Sequence, residues 1–403
     1  MVIVGAGMAG ARAILSLREH GWKGAITLIG DEPYPPYDRP PLSKSAMASE
    51  AEPEPVLILA ADSLSSLGVT YRAGSAVAEI ARAEKAVTLS DGQRVPYHRL
   101  LLSTGAQARI LPQAPHARTL RTISDARALH ADLKPGRKVA IIGGGFIGLE
   151  LAASASKRGC SVTVIEALPR ILMRGVGATI AKIVAERHAA AGVTIITDAN
   201  IERVDAGAVL LKDGRKVAAD IIIAGIGALP ETALAQSAGL SIDNGIACDT
   251  HMRTSDPDIF AAGDCCSFPH PLYQDRRIRL EAWRAAQDQA AVAAQNMLGA
   301  TRRFEAVPWF WSDQYELTLQ IAGFPSEAAT TATRPLKDGA FIEFQFDADG
   351  RLLCASGIGR GNIIVRDIRL AEMLIAKRAR PDPALLADPA IGLKPLVTTL
   401  AGA

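Results

Sequence analysis

Short apolar runs alternate with glycine-rich turns and helical patterns from the first residues onward. Met1-Val-Ile-Val4 is an apolar run, Gly5-Ala-Gly7-Met-Ala9-Gly10 comes next, and a helical pattern continues to about His20. Ile26-Thr-Leu-Ile-Gly30 has the pattern of a second buried strand and ends at Asp31-Glu32. Together these read as a βαβ unit. The pattern returns at Lys138. Val139-Ala-Ile-Ile142 is a strand and Gly143-Gly-Gly145-Phe146-Ile147-Gly148 a turn. Glu150 to Arg158 reads as helix, and Ser161-Val-Thr-Val-Ile165 as a strand ending at Glu166. One nucleotide-binding unit is thus used twice, at a spacing too long for a solenoid repeat.

The segments after each unit are also shared. Val87 to Val95 and Val209 to Val217 each read as a hairpin, turning at Asp91-Gly92 and Asp213-Gly214. Leu100-Leu-Leu102 leads into Ser103-Thr104-Gly105, as Ile221-Ile-Ile223 leads into Gly225-Ile-Gly227. From Val307 the texture changes. Trp309, Phe310, Trp311 and Tyr315 concentrate the scarce aromatics, and Phe341 to Cys354 alternates about an Asp-Gly turn, as a hairpin does. Asp367 to Arg378 has the pattern of an amphipathic helix. The expected fold is therefore α/β, with two Rossmann-like dinucleotide-binding domains and a C-terminal α+β domain. The expected boundaries are 1–107 with 236–304 for the first, 108–235 for the second and 305–403 for the third.

Composition narrows the function. Apolar residues make up 49% and charged residues 21% of the 403, as in an ordinary globular protein. The formal net charge of +2 is too small for a whole-protein nucleic-acid binder. No apolar run has the length of a membrane span, and no signal peptide is expected ahead of the first strand. The five cysteines, Cys160, Cys248, Cys265, Cys266 and Cys354, include no Cys-x-x-Cys. Neither a zinc site nor a dithiol motif is written, and buried cysteines in a reducing cytoplasm are expected.

The glycine clusters carry the chemistry. In the first, Gly5 permits a tight turn, Gly7 lets backbone approach a pyrophosphate, and Gly10 lets helix and strand pack closely. The helix N-terminus then offers free N–H groups to the phosphates. Asp31 or Glu32 stands where an acid would bond a ribose. The second cluster repeats the arrangement with Gly143, Gly145, Gly148 and Glu166. A carboxylate there accepts hydrogen bonds from a free 2′-hydroxyl and repels a 2′-phosphate, so NAD is expected over NADP. Arg170 and Arg174 come soon after and could bind a phosphate. Two such sites in one chain point to resident FAD and visiting NADH.

Thr254-Ser-Asp-Pro-Asp-Ile-Phe260-Ala-Ala-Gly263-Asp264 resembles the second FAD motif of the glutathione-reductase-like flavoproteins. Disulfide reductases of that family carry a cysteine pair on the helix after the first Pro-rich loop. Here the loop runs into Tyr37-Asp-Arg39-Pro40-Pro-Leu-Ser43-Lys44, with no cysteine before position 160. This excludes a thiol relay at that place, so electrons must leave the flavin directly. Pro36 to Lys44, Gly144 to Leu151 and Pro308-Trp-Phe-Trp-Ser-Asp-Gln314 are similar to segments of the NADH-dependent ferredoxin reductases that serve Rieske oxygenases and bacterial cytochromes P450. The resemblance spans nearly the whole chain.

The resemblance implies that Arg39, Pro40 and Lys44 contact FAD, with Lys44 paired to Glu150 beside the flavin N5 edge. It places Glu281-Ala282-Trp283 along the pyrimidine edge and Trp311 near the isoalloxazine. Lys44, Glu150 and Trp311 are the expected catalytic residues. Ala9, Val77, Thr104, Gly105 and Arg121 are further expected cofactor contacts, as are Phe146, Ile147, Arg174 and Gly227. No His or Cys attachment motif is present, so non-covalent FAD is expected. No metal is expected. The implied partner is an acidic [2Fe-2S] ferredoxin feeding a P450 or Rieske oxygenase, and the implied state a monomer or weak homodimer. Arg276, Arg277, Arg279, Arg284, Arg302 and Arg303 are a local basic excess that is either a docking patch or an ordinary solvated face. Two other readings stay open: an NADH oxidase or quinone-type flavoprotein with no protein acceptor, and an NADH-sensing flavoprotein that signals through a partner.

Overall fold

The computed structural model describes residues 1–324 and 328–399. Residues 325–327 and 400–403 of the expected C-terminal domain lie outside the described residues. The backbone groups into two compact units. Met1–Asp38, Pro55–Gln107 and Leu229–Pro308 form the first. Arg39–Glu54, Ala108–Ala228 and the chain from Trp309 on form the second.

The first unit is built on a five-stranded sheet in the order Ile259–Ala261, Leu100–Leu102, Val2–Val4, Ile26–Ile29, Val69–Arg72. All pairings are parallel. The three strands at one side are buried throughout, which explains their unbroken apolar runs. Val4, Leu102, Ala261 and Ile29 lie in register. The residues just beyond them therefore share one edge, the carboxyl end of the sheet. There Gly5, Ser103-Thr104, Ala262-Gly263-Asp264 and Gly30-Asp31-Glu32 leave the strands. A three-stranded antiparallel sheet, Val77–Ala81, Ala86–Leu89 and Arg94–Pro96, is inserted before Leu100. Its turn uses Gly92 at φ +86°.

The second unit repeats this plan with strands Thr194–Ile196, Ser161–Ile165, Lys138–Ile142 and Ile221–Ala224, in that order and all parallel. Gly143, Glu166 and Gly225 leave its carboxyl edge. The expected second hairpin is present as Ala208–Leu211 and Lys216–Ala218, with Ile201–Asp205 beside it. The C-terminal stretch forms an antiparallel sheet in the order Trp309–Gln314, Leu317–Gly323, Leu352–Arg360, Phe341–Phe346, Thr330–Pro335. Helix Val365–Ala376 packs on its middle strands through Ile368, Ala371, Leu374 and Ile375.

Both glycine clusters need the same correction: the first helix runs Met8–Glu19 and takes in Gly10. The second glycine cluster does not finish before its helix begins: the helix runs Phe146–Lys157 and takes Gly148 into its first turn. Gly145, extended at φ −81° and ψ −179°, is its N-cap. Gly148 is tolerated inside the helix because a Cβ there would lie 2.2 Å from the Gly143 carbonyl oxygen. The space decides against the usual helix preference for Ala.

Candidate active site

The two glycine turns obey the same geometry. Gly5 and Gly143 have φ of +110° and +107°, a region open to glycine. A Cβ on Gly5 would meet the Ser103 oxygen at 2.1 Å, and one on Gly143 the Gly225 oxygen at 2.4 Å. A Cβ on Gly10 would meet the Gly5 oxygen at 2.2 Å, the counterpart of Gly148. At Gly7 and Gly145 a Cβ would meet nothing within 4 Å. Both are N-caps, with no side-chain cap and no acid in the first turn. Two outer glycines close each turn, while the middle one leaves open space before uncapped N–H groups. That cradle fits the pyrophosphate of a dinucleotide in each unit.

Around the first cradle, Ser103 Oγ donates to the Val4 and Gly5 carbonyls at 3.0 and 2.9 Å, which anchors the turn. Thr104 Oγ1 donates to the Glu231 carbonyl at 2.8 Å, and the Gly105 carbonyl accepts from the Glu231 amide at 2.9 Å. Gly263, at φ +88°, approaches Ala9, since a Cβ there would lie 3.3 Å from the Ala9 Cβ. Its amide donates to Gln289 Oε1 at 2.7 Å, leaving Asp264 half-buried at the strand end. Glu32 Oε2 accepts the Tyr37 hydroxyl at 2.7 Å, whereas Asp31 is exposed. Trp283 Nε1 donates to Asp38 Oδ1 at 2.7 Å, fixing the indole at the start of its helix. Exposed Glu281 pairs with Arg279 at 2.5 Å, and half-buried Ala282 is the helix N-cap. Val77 opens a strand of the small antiparallel sheet, half-buried opposite Leu89.

Around the second cradle, both Glu166 oxygens hold backbone: Oε2 accepts the Gly144 amide at 2.7 Å and Oε1 the Leu168 amide at 2.8 Å. A cleft of about 320 Å³ opens beside Glu166, with Gly143, Asn200 and Lys212 in its wall. Ile147 is 47% exposed at the helix start, and Phe146 rests on Phe310 with ring centroids 4.6 Å apart. Gly227, at φ +99°, accepts the Arg109 amide at 2.9 Å. Arg174 is exposed. Arg170, a phosphate candidate by position, instead donates to the carbonyls of Ile171, Met173 and Val176 at 3.3, 3.4 and 3.0 Å. Its charge is spent on shaping the loop.

Within the same unit Lys44 Nζ meets Glu150 Oε1. The carboxylate is 2% exposed and the lysine 19%. Ser43 Oγ donates to Glu150 Oε2 and Ser312 Oγ to Oε1, both at 2.5 Å. Lys44 Nζ also lies 5.8 Å from the ring centroid of Trp311, which stacks on Trp309 at 5.5 Å. Arg39 donates to the Arg121 carbonyl at 2.9 Å. Arg121 in turn is placed by the Thr122–Asp125 capping box, whose carboxylate also accepts the Arg121 amide at 2.9 Å. Pro40 opens the 3₁₀ turn Pro40–Ser43 that delivers Lys44.

The C-terminal strand reaches this site through matched spacings. Four helical residues rise about 6.0 Å and two strand residues about 6.7 Å. Phe310 therefore meets Phe146 while Ser312 meets Glu150. The alternation that sends the tryptophans to one face sends Phe310, Ser312 and Gln314 to the other. Ser43, Ser312 and Gln314 had no role assigned from sequence. The period-two pattern of Trp309–Gln314 was the available signal, but it does not name a target.

The thiols take no part. All five cysteines are buried and free. Burial pushes Cys265 and Cys354 up to about 12 and raises Cys160, while the neighbouring Cys248 thiol, together with burial, raises Cys266, so these thiols stay protonated.

Residues 1–290 match the family model described as pyridine nucleotide-disulphide oxidoreductase, and residues 309–397 the one described as reductase C-terminal. The chain belongs to the pyridine nucleotide-disulphide oxidoreductases. Within them it is 41% identical to the ferredoxin–NAD(+) reductase component of the anthranilate 1,2-dioxygenase system of Burkholderia cepacia, over 98% of each chain. It is 37% identical to putidaredoxin reductase of Pseudomonas putida, over 98% of this chain and 96% of that one. Among solved structures, a chain of the covalent putidaredoxin reductase–putidaredoxin complex superposes with a TM-score of 0.94 at 35% identity, covering 100% and 99% of the two chains. The fold is thus that of the oxidoreductase family with its C-terminal reductase domain. No helix of the described residues is long and apolar enough to cross a membrane.

Proposed function

We propose that this oxidoreductase is an FAD-dependent NADH:ferredoxin reductase that supplies a P450 or Rieske oxygenase. The observation that carries the reading is the pair of independently built dinucleotide cradles, one in each unit. The ferredoxin reductases to which the chain is similar support the acceptor. FAD, when bound, takes a hydride from NADH and releases its electrons one at a time, which suits one-electron [2Fe-2S] acceptors.

The chain's own residues bind and orient. Gly5, Gly7 and Gly10 would hold the FAD pyrophosphate, and Gly263-Asp264 its ribityl arm. Gly143, Gly145 and Gly148 would hold NADH, with Glu166 accepting from a ribose hydroxyl through its remaining lone pairs. Lys44 would present a positive charge to the bound flavin and favour its reduced, more negative form. Glu150 holds that lysine in place and offsets the cost of burying it. Trp311 flanks the lysine and would line the flavin side.

For docking, Arg277 and Arg279 are committed elsewhere. Arg277 bonds the Cys248 and Ser267 carbonyls at 3.1 and 2.9 Å, and Arg279 pairs with Glu281. Arg276, Arg302 and Arg303 are exposed, Arg303 beside Glu305 at 3.8 Å, and would face an acidic ferredoxin. A reducing cytoplasm suits five free cysteines, and a monomer or weak dimer is the working state.

Anaerobic stopped-flow mixing with NADH, and separately NADPH, tests the reading, with a [2Fe-2S] ferredoxin in a second mix. Rapid flavin bleaching by NADH and then ferredoxin reduction are expected. Bleaching without ferredoxin reduction would overturn the acceptor and leave an oxidase or a sensor.

A further inference from the structure

Behind the Lys44–Glu150 pair runs a buried row of polar side chains with a single direction. Ser312, Gln314 and His188 are each 0% exposed. Gln314 Nε2 donates to Ser312 Oγ at 2.9 Å. The one hydroxyl proton of Ser312 is therefore left for Glu150 Oε1, at 2.5 Å. Gln314 Oε1 faces His188 Nε2 at 3.0 Å, so that nitrogen carries the proton. His188 Nδ1 is then bare and has no hydrogen-bond partner. Burial lowers the His188 pKa and keeps the ring in its one-proton form. Every donor in the row points toward Glu150.

The arrangement at the carboxylate is uneven. Oε2 receives Ser43 alone, whereas Oε1 receives both Ser312 and Lys44. A carboxylate oxygen has about two lone-pair sites. With Ser312 on one of them, Lys44 is confined to the other. We propose that Ser312, oriented by Gln314 and His188, is a positioning residue that fixes Lys44 on one lone pair of Glu150 and draws off part of the carboxylate's charge. The inference rests on the reading that Lys44 serves the flavin. Its consequence is a more favourable addition of electrons there than the Lys44–Glu150 pair alone would give.

The matched test is Ser312→Thr against Ser312→Val in the FAD-loaded protein. The two side chains have nearly the same shape and differ by the hydroxyl. Flavin midpoint potentials are read by dithionite titration, and limiting reduction rates at saturating NADH by single-turnover mixing. The valine variant should show a lower potential and a limiting rate slower by about tenfold, the scale of one hydrogen bond to a charged group. Its NADH dissociation constant should be unchanged. The threonine variant should keep wild-type values. Gln314→Leu, which frees the Ser312 hydroxyl to rotate, should shift the potential in the same direction by less. Equal potentials and equal limiting rates for threonine and valine, at equal FAD content and melting temperature, overturn the proposal. If wild type is not reduced by NADH, the functional reading fails, while the dithionite potentials still decide the role of Ser312.

Discussion

Glu166 closes on the glycine turn that faces it, its Oε2 accepting the Gly144 amide at 2.7 Å. The same carboxylate is the proposed reader of the coenzyme ribose, so it shapes the loop and would select the ligand at once. Glu166→Ala should lower kcat/KM for NADH by about tenfold, the scale of one lost charged hydrogen bond. Glu166→Arg should in addition raise the value for NADPH. The ratio of the two constants is the measurement, and unaltered selectivity in both variants would remove the assignment.

Lys44→Met keeps the length of the side chain and removes its charge. It also leaves the buried Glu150 carboxylate with only Ser43 and Ser312 as partners. Flavin reduction at saturating NADH should slow by about a hundredfold, in line with the loss of one preorganised donor. Unchanged reduction kinetics would defeat the proposed role.

The glycine turns allow fold and binding to be separated. Gly7 is extended at φ −94°, with open space where a Cβ would go. Gly7→Ala should therefore leave the melting temperature of the flavin-free protein within a degree or two of wild type, yet weaken FAD binding by blocking backbone approach. Gly10→Ala would drive a Cβ to 2.2 Å from the Gly5 oxygen. It should destabilise the protein with or without flavin, by about 1–3 kcal/mol. Calorimetry and flavin-release titration on the pair would check both. Tight FAD binding by Gly7→Ala would sink the cradle assignment.

Acid should weaken the first unit through His270. The ring is buried among Phe268, Tyr273 and Phe304. Its Nε2 lies 3.1 Å from the Ala306 carbonyl. Burial pushes its pKa down to about 4, below an unfolded value near 6.5. The unfolded chain thus binds the proton first. Stability is unaffected by this group above about pH 6.5 and is lost progressively as pH falls from there toward 4. His188 shifts in the same direction. His270→Gln should lower the melting temperature at pH 8 but flatten its decline between pH 6.5 and 4. An undiminished decline would show that other groups carry it.

The parts legible from sequence were those where one residue type answers one local need. Gly5 and Gly143 sit at positive φ against a neighbouring carbonyl, so their spacing reads directly. The Asp-Gly turns at Asp91 and Asp213 bond the amides of Gln93 and Arg215 within the turn itself, and both hairpins were readable for that reason. Apolar runs such as Leu100–Leu102 declared strands buried on both faces. Contacts between distant segments were not legible. Ser312 reaches Glu150 across 162 positions, and nothing near Ser312 announces a buried carboxylate. Arg170 looked available for a phosphate because three backbone carbonyls leave no trace in a residue string. The grouping of Arg39–Glu54 with the second unit likewise depends on distant anchors. Arg127 and Arg158, for example, bond the Pro53 and Ser49 carbonyls.

The order of strands in the first sheet also sets a timetable for synthesis. Ile259–Ala261 pairs with Leu100–Leu102, which pairs with Val2–Val4. At about 5–20 residues per second on the ribosome, roughly ten to thirty seconds separate the emergence of Leu102 from that of Ile259. Through that interval Leu100–Leu102 presents an unpaired, wholly apolar edge. The strands of the second parallel sheet emerge meanwhile. A nascent chain stalled once Ala224 has cleared the ribosome would hold a finished second parallel sheet and an unfinished first one. That stage is where a chaperone that recognises exposed strand edges would find this protein.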